Sequence, residues 1–470
     1  MNFLLSAGEA SGDTYGAQLI ESLRQLAPSS GQSTPAFFGM GGEKMRAAGC
    51  ELLVHANEVA VVGLVEVLTH LPGIRRRFKH LVTEASRRRP DAAILIDFPD
   101  FNLRLARELH KLGIPVFYFV SPQIWAWRTG RVKQIQKYVR KMIVIFPFEQ
   151  EFYRRHGVEV SYVGHPLAYV EPPQISHAEF AAEHGLDPGK QWIALLPGSR
   201  HKEVRLNLPV MLQAAQLLGP DYEFILPVAS TLKAEWLGEQ MALSVLQQST
   251  SAAKAGILTG SERRPEGLLH PVTEGRSEHT AAQGLKPQSE DNLDAALKGR
   301  SSTGDSLRSS IGKSYGEKKH GANSSRPKIT LTDNARAAMM HARASVVASG
   351  TATVEAALSG TPFVVVYRLA PLTWFLGRRL VKLDTFAMPN LIAGKKIVPE
   401  LIQAGFTAET VVRELSAIIP DGPARQKMED ALKMVQQRLR DSHTIGDGQQ
   451  IEPPALRASR EIIASLSQGS

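Results

Sequence analysis

Cys50 is the only cysteine among 470 residues, so no intramolecular disulfide can form and a small disulfide scaffold is excluded. Long hydrophobic runs are absent too. None approaches the roughly 18 residues that a membrane-crossing helix requires. The first residues, Met1 to Glu9, carry no basic stretch before their apolar segment, so no signal peptide is read there. These absences predict a cytoplasmic protein in a reducing compartment, touching a membrane only peripherally. Metal-binding patterns are missing: His110, His156 and His201 lack ligand spacing, and no zinc, EF-hand or Asp-x-Asp motif occurs. No metal and no cofactor is expected. Acidic residues are in deficit, 46 against 55 Lys and Arg, leaving a net charge of +9. That balance suits nucleic acid, an anionic membrane surface or phosphorylated substrates.

What is present is ordinary for a globular chain, 43% hydrophobic and 21% charged, which excludes a wholly disordered one. Short apolar runs at 3–7, 92–96, 116–120 and 142–146 read as buried strands. Amphipathic stretches at 14–26, 103–112 and 148–156 read as helices, with Asp13 placed to cap the first. After a proline-bearing stretch at 166–190 the alternation resumes, with strands at 192–196, 223–228, 345–348 and 363–367 and helices at 204–218 and 351–359. The fold class predicted is α/β, with two doubly wound parallel-sheet halves. Their bounds are set at 1–168 and 169–440. A final helix within 441–470 is expected to pack back on the first half. Residues 247–327 break the pattern. They hold 13 Ser, 10 Gly and a single aromatic, Tyr315, too little apolar area to offset the entropy of ordering. They read as a disordered insertion.

The polar residues gather just past the strands. Gly8-Glu-Ala-Ser-Gly-Asp13 follows the first, where a parallel sheet meets its ligands. Glu9, Ser11 and Asp13 add more polar groups than a tight turn needs. Ile96-Asp-Phe-Pro-Asp-Phe-Asn102 delivers Asp97 and Asp100. A carboxylate past an apolar strand is partly desolvated, which makes Asp97 a candidate general base or a structural group, and Asp100 suits a helix cap. In Val120-Ser-Pro-Gln-Ile-Trp-Ala-Trp-Arg128, the rings of Trp125 and Trp127 beside Arg128 either bind sugar or acyl chain or pack under a domain interface. In the second half Gly198, Ser199 and Arg200 open a helix, as do Ser349, Gly350 and Thr351. Both arrangements suit a pyrophosphate, and Glu355, one turn on, suits a ribose diol. Asn390 is placed to add an amide.

Two stretches pair apolar with basic residues, as an interfacial helix does. One carries Val62, Leu64, Val65, Leu68, Leu71 and Ile74 followed by Arg75, Arg76 and Arg77; the other is 371–383. Core-facing helices with solvated basic sides are the alternative.

These motifs, with Val62-Gly-Leu-Val-Glu-Val67, Val163-Gly-His-Pro166 and Pro389-Asn-Leu-Ile-Ala-Gly394, run in one order along nearly the whole chain. Together they resemble the lipid-A-disaccharide synthase family of glycosyltransferases, whose GT-B fold sets two Rossmann-like domains across a cleft. The insertion at 247–327 is a departure from that family. The resemblance implies an acceptor-binding first domain and a second domain for the UDP-sugar. It implies an inverting transfer of the sugar of UDP-2,3-diacylglucosamine to the 6-hydroxyl of 2,3-diacylglucosamine 1-phosphate, without a metal. It also implies work at the inner face of the inner membrane. A UDP-sugar 2-epimerase shares the fold, but the tryptophan loop argues against it. A basic scaffold for membranes or RNA leaves the paired strand-end motifs unexplained, so no nucleic-acid partner is expected.

Overall fold

The computed structural model describes residues 1–26, 34–59, 64–127, 129–244, 246, 327–369, 385–440 and 452–468, with the side chains of 64–70, 127 and 129 excepted. Seven strands of the first half form one sheet: β1 (Asn2–Ala7), β2 (Ala36–Gly41), β3 (Glu51–His55), β4 (Ala92–Ile96), β5 (Val116–Phe119), β6 (Lys141–Val144) and β7 (Val160–Tyr162). Their spatial order is β3-β2-β1-β4-β5-β6-β7, every pair parallel. The second half forms a sheet of six: β8 (Gln191–Leu196), β9 (Tyr222–Pro227), β10 (Lys328–Thr332), β11 (Ala344–Ala348), β12 (Phe363–Tyr367) and β13 (Glu400–Ile402). Its order is β10-β9-β8-β11-β12-β13, again parallel throughout.

Parallel strands are buried on both faces, which is why β4 and β5 read as unbroken apolar runs. Helices cover each face. The first sheet has one core on either side, and the last helix, Pro454–Ser467, closes one of them with Ala458 and Ile462 beside Ile20 and Phe117. Cys50 is buried there, and burial pushes its thiol up to about 12, which makes it inert.

In each sheet the order reverses direction once, between β1 and β4 in the first and between β8 and β11 in the second. The crevice outside the carboxyl ends of such strands is where open α/β sheets bind ligands. The segments that follow these four strands are Gly8–Asp13, Asp97–Asn102, Pro197–Arg200 and Ser349–Thr351, and they supply most of the residues singled out by sequence.

Helices begin earlier than the periodicity predicts: Ala10–Leu26, Pro99–Lys111, Pro147–Arg155 and His201–Leu218. Asp13 therefore lies inside the first helix and does not cap it. Its carboxylate reaches across to the amides of Gly42 at 2.7 Å, Lys44 at 3.1 Å and Met45 at 3.0 Å, and so closes the start of the short helix Glu43–Ala47. Residues 247–326 of the expected insertion lie outside the described residues.

Candidate active site

A cleft of about 490 Å³ runs between the two switch points. Glu9, Ser11 and Asp97 line it from the first half; Arg200, Gly350 and Thr351 line it from the second. Six residues expected from sequence thus surround one space.

Asp97 is held by its backbone. It has φ 45°, followed by Phe98 at φ 50°, and Val120 at the end of β5 has φ 63°. Non-glycine residues in this region are strained by roughly 1–3 kcal/mol each, and such strain concentrates at functional sites. The Asp97 carbonyl accepts from Asn102 Nδ2 at 2.8 Å and from the Tyr118 hydroxyl at 2.6 Å. Asn102 is fully buried. It also donates to the carbonyls of Ser6 at 3.2 Å and Ile96 at 3.1 Å and accepts from Ser6 Oγ at 2.7 Å, tying β1 to β4 at the turn. Burial, with the charge of Glu9, pushes the Asp97 carboxyl up to about 6, and the Phe98 amide opposes this. A carboxyl there is ionised at neutral pH yet basic enough to take a proton.

Several candidates serve other ends. Asp100 stands in the first turn of the helix Pro99–Lys111, whose cap residue is Phe98, and its carboxylate pairs with Arg131 on the cleft rim. Trp125 packs edge-on against Phe148 at 4.9 Å and donates Nε1–H to the cleft-lining Glu149 at 3.2 Å, so its ring serves to hold that carboxyl. The Trp127 side chain and Arg128 lie outside the described residues. Asn390 corrects the sequence expectation. Fully buried, it accepts from the amides of Ile397 and Val398 and donates to the Val398 carbonyl and Glu400, which spends its amide on the local loop.

The loop after β8 differs from an open phosphate cradle. The amides of Ser199 and Arg200 donate to Glu203 Oε2 at 3.0 Å and 3.3 Å. A Cβ on Gly198 would meet the Glu203 side chain at 2.6 Å, so glycine is required for this approach. Across from it, Ser349, Gly350 and Thr351 lead into the helix Ala352–Ser359, where the Thr353 amide donates to the Gly350 carbonyl at 3.1 Å and the Val354 amide to the Thr351 carbonyl at 2.9 Å, so the helix presents the positive end of its dipole here more than free amides. Glu355, half-buried on that helix, lines a smaller hollow with Arg336 and Met340; burial raises its carboxyl while Arg336 opposes.

Sequence reasoning missed the cleft residues Tyr15 and Glu149. Tyr15 has its hydroxyl pushed up to about 12 by burial and by the charges of Glu355 and Asp97. Glu149 carries a carboxyl that burial pushes up to about 8. Only burial marks these two, and it comes from distant segments that no local pattern reports. His165, of the motif Val163-Gly-His-Pro166, lines the cleft as well; it caps the turn Pro166–Tyr169, and burial pushes its ring down to about 3, so it is neutral.

In the expected membrane segment, Val62 and the side chains of Leu64, Val65 and Leu68 lie outside the described residues, as does 370–384. The helix Leu64–Arg88 is observed, with Leu71, Arg75 and Arg76 exposed. Ile74 departs from the outward role expected of it and packs against the sheet's core, and Arg77 pairs with Glu58. Among the described residues no helix is long and apolar enough to cross a membrane, and no cluster of His, Cys, Asp or Glu could hold a metal ion.

Two doubly wound parallel sheets opening at their switch points onto one cleft define a GT-B type fold, as expected. Solved structures with it include the glycotransferase of kitacinnamycin, with TM-score 0.54 and 12% identity over 99% of this chain and 98% of that one. They also include the UDP-GlcNAc 2-epimerase from Neisseria meningitidis, with TM-score 0.50 and 10% identity over all of both chains. Transferases and an epimerase share this architecture, so the fold alone does not choose between them. Sequence does: the chain belongs to the lipid-A-disaccharide synthetase family, whose model matches residues 3–260 and 306–451. The lipid-A-disaccharide synthase of Koribacter versatilis is 45% identical over 99% of this chain and 98% of its own length. That of Acidobacterium capsulatum is 45% identical over 93% and 92%.

Proposed function

We propose that the protein transfers the sugar of UDP-2,3-diacylglucosamine to the 6-hydroxyl of 2,3-diacylglucosamine 1-phosphate, giving a β-1,6 disaccharide 1-phosphate and UDP. Asp97 takes the hydroxyl proton as the oxygen attacks the anomeric carbon. The bond from that carbon to the diphosphate breaks on the opposite face, which inverts the centre, and the electron pair leaves with UDP. Charge developing on the diphosphate is met by Arg200 and by the positive end of the helix Ala352–Ser359 behind Gly350 and Thr351. The diphosphate also competes with Glu203 for the amides of Ser199 and Arg200, and Glu355 takes the ribose hydroxyls. The first half is the acceptor domain and the second the UDP-sugar domain.

The observation that carries this reading is the placing of a base, Asp97, and two helix starts from the other half around one cleft. Family membership supplies the substrates. Both are diacylated and stay in a bilayer, so we place the protein peripherally on the cytoplasmic face of the inner membrane, with Leu64–Arg88 toward anionic lipid. Incubation with the two substrates should yield disaccharide and UDP in equal amounts. UDP without disaccharide, or an isomerised UDP-sugar, would replace the reading with a hydrolase or an epimerase.

A further inference from the structure

Among the described residues the cleft holds two carboxyls that this reaction leaves unused, Glu9 and Glu149; Glu9 is exposed and Glu149 is buried. Glu149 stands third in the helix Pro147–Arg155 and is 1% exposed. Its Oε1 accepts from Trp125 Nε1 at 3.2 Å. Its Oε2 is buried and has no hydrogen-bond partner among the described residues. A buried oxygen without a partner is costly, and native structures keep one chiefly where something else completes it. This residue lines the same cleft as Asp97, Glu9 and Thr351.

No cation faces it. Burial raises its carboxyl most, and the charge of Asp97 at the end of β4 adds to this; Trp125 and Ser121, from the segment after β5, and the Phe146 backbone just before its helix lower it. Tyr153, one turn along the helix, shares a hydrogen bond with Ser121 at 2.8 Å and is itself raised by burial. His165 is neutral, and Arg131 on the rim is paired with Asp100. The helix Met388–Ala393, which approaches from the second half, has no titratable side chain. Burial outweighs the rest and pushes Glu149 up to about 8, so at neutral pH Oε2 carries a proton to give.

The geometry points to Glu149 as an acceptor-binding carboxyl, whose Oε2–H donates a hydrogen bond to an oxygen of the acceptor sugar while Asp97 takes that sugar's hydroxyl proton. The inference rests on the reaction proposed above. Two carboxyls in one desolvated cleft are thereby divided between base and donor, Asp97 titrating near 6 and Glu149 near 8. A neutral donor also adds no negative charge beside a phosphorylated acceptor.

The division predicts a turnover that rises with pH through about 6 and falls through about 8. Glu149→Gln keeps an oxygen for Trp125 and a weaker N–H donor for the sugar. It should lower turnover severalfold and abolish the alkaline fall. Glu149→Ala should raise the acceptor KM about tenfold and leave UDP affinity, read by calorimetry, unchanged. An alkaline limb unaltered in Glu149→Gln, or a wild-type acceptor KM in folded Glu149→Ala, would overturn the assignment. If the alanine protein does not fold, the pH profile of the glutamine variant decides alone. A wild-type protein that makes no disaccharide brings down the proposed reaction and this inference with it; an active wild type with either adverse result brings down only the role of Glu149.

Discussion

Asp97 is costly to build, with a left-handed backbone at φ 45° and a carboxyl that burial makes reluctant to ionise. Replacing it with Asn keeps the shape and removes the basic oxygen. Turnover should fall by about 10²–10⁴, the usual worth of a general base, with UDP affinity nearly unchanged. Near-normal turnover in a folded Asp97→Asn protein would assign the proton to another group. Buried ionisable groups leave a second mark, on stability. Glu149 holds its proton to about pH 8 in the fold, against an ordinary value of 4.5 when unfolded. Over that window the native state binds more protons, so stability falls as pH rises. His165 works in the opposite sense. It is neutral in the fold down to about 3 and charged in the unfolded chain below 6.5, so its contribution grows with pH between those values. The raised carboxyl of Asp97 is fully ionised soon above 6. Between about pH 6.5 and 8 the slope therefore belongs to Glu149 among these three, and the melting temperature should drop. Thermal melts of Glu149→Gln should be flatter over the same interval; an equal slope would mean that the carboxyl titrates near its ordinary value.

At the scale of the element, the central strands were legible and the margins were not. Strands β1, β4, β5, β6, β8, β9, β11 and β12 are apolar runs that periodicity finds directly. The four edge strands, β3, β7, β10 and β13, are short or carry polar residues such as Glu51, Ser161, Lys328 and Glu400, because an edge need not be buried on both sides. Strand β2 hides for a different reason. Gly39 and Gly41 imitate a turn, yet Gly39 is there because a Cβ would stand 2.0 Å from the Leu5 carbonyl of the neighbouring strand. The chemical segments were legible because each is a local string at a strand end. Asp13 and Asn390 misled because a polar residue near a site looks the same in sequence whether it serves a ligand or a backbone amide. Strand-end geometry also yields a prediction. A Cβ on Gly8 would lie 2.3 Å from the Phe98 ring, whose backbone is strained beside Asp97 and whose ring packs on Phe101 at 5.8 Å. Gly8→Ala must push the ring and with it the Asp97 turn, at about 1–3 kcal/mol for an overpacked site. Turnover should fall with little loss of UDP affinity; equal loss of both would place Gly8 in the donor site.

At the scale of the whole molecule the first half is tied to the chain's last segments by hydrogen bonds. The His165 amide donates to the Leu439 carbonyl at 2.9 Å, and Arg140 donates to Ser465 Oγ at 3.0 Å on the last helix. The function proposed above brings the cleft to lipids held in a bilayer, and we propose the helix Leu64–Arg88 as the surface that meets them. Its second half is anchored, with Leu81 and Ala85 fully buried and Phe78 set edge-on against Phe101 at 5.3 Å. Its first half begins an apolar stretch that ends in exposed Arg75 and Arg76, each worth about 1 kcal/mol beside anionic lipid. Changing Leu64, Leu68 and Leu71 to Ser leaves the anchors at Phe78, Leu81 and Ala85 untouched. The triple variant should melt near the wild-type temperature, lose binding to liposomes containing anionic lipid, and act more slowly on bilayer-borne substrates than on the same substrates in detergent. A large drop in melting temperature, with liposome binding by the folded fraction unchanged, would assign the three leucines to the core and move the membrane contact to 371–383 or off both segments.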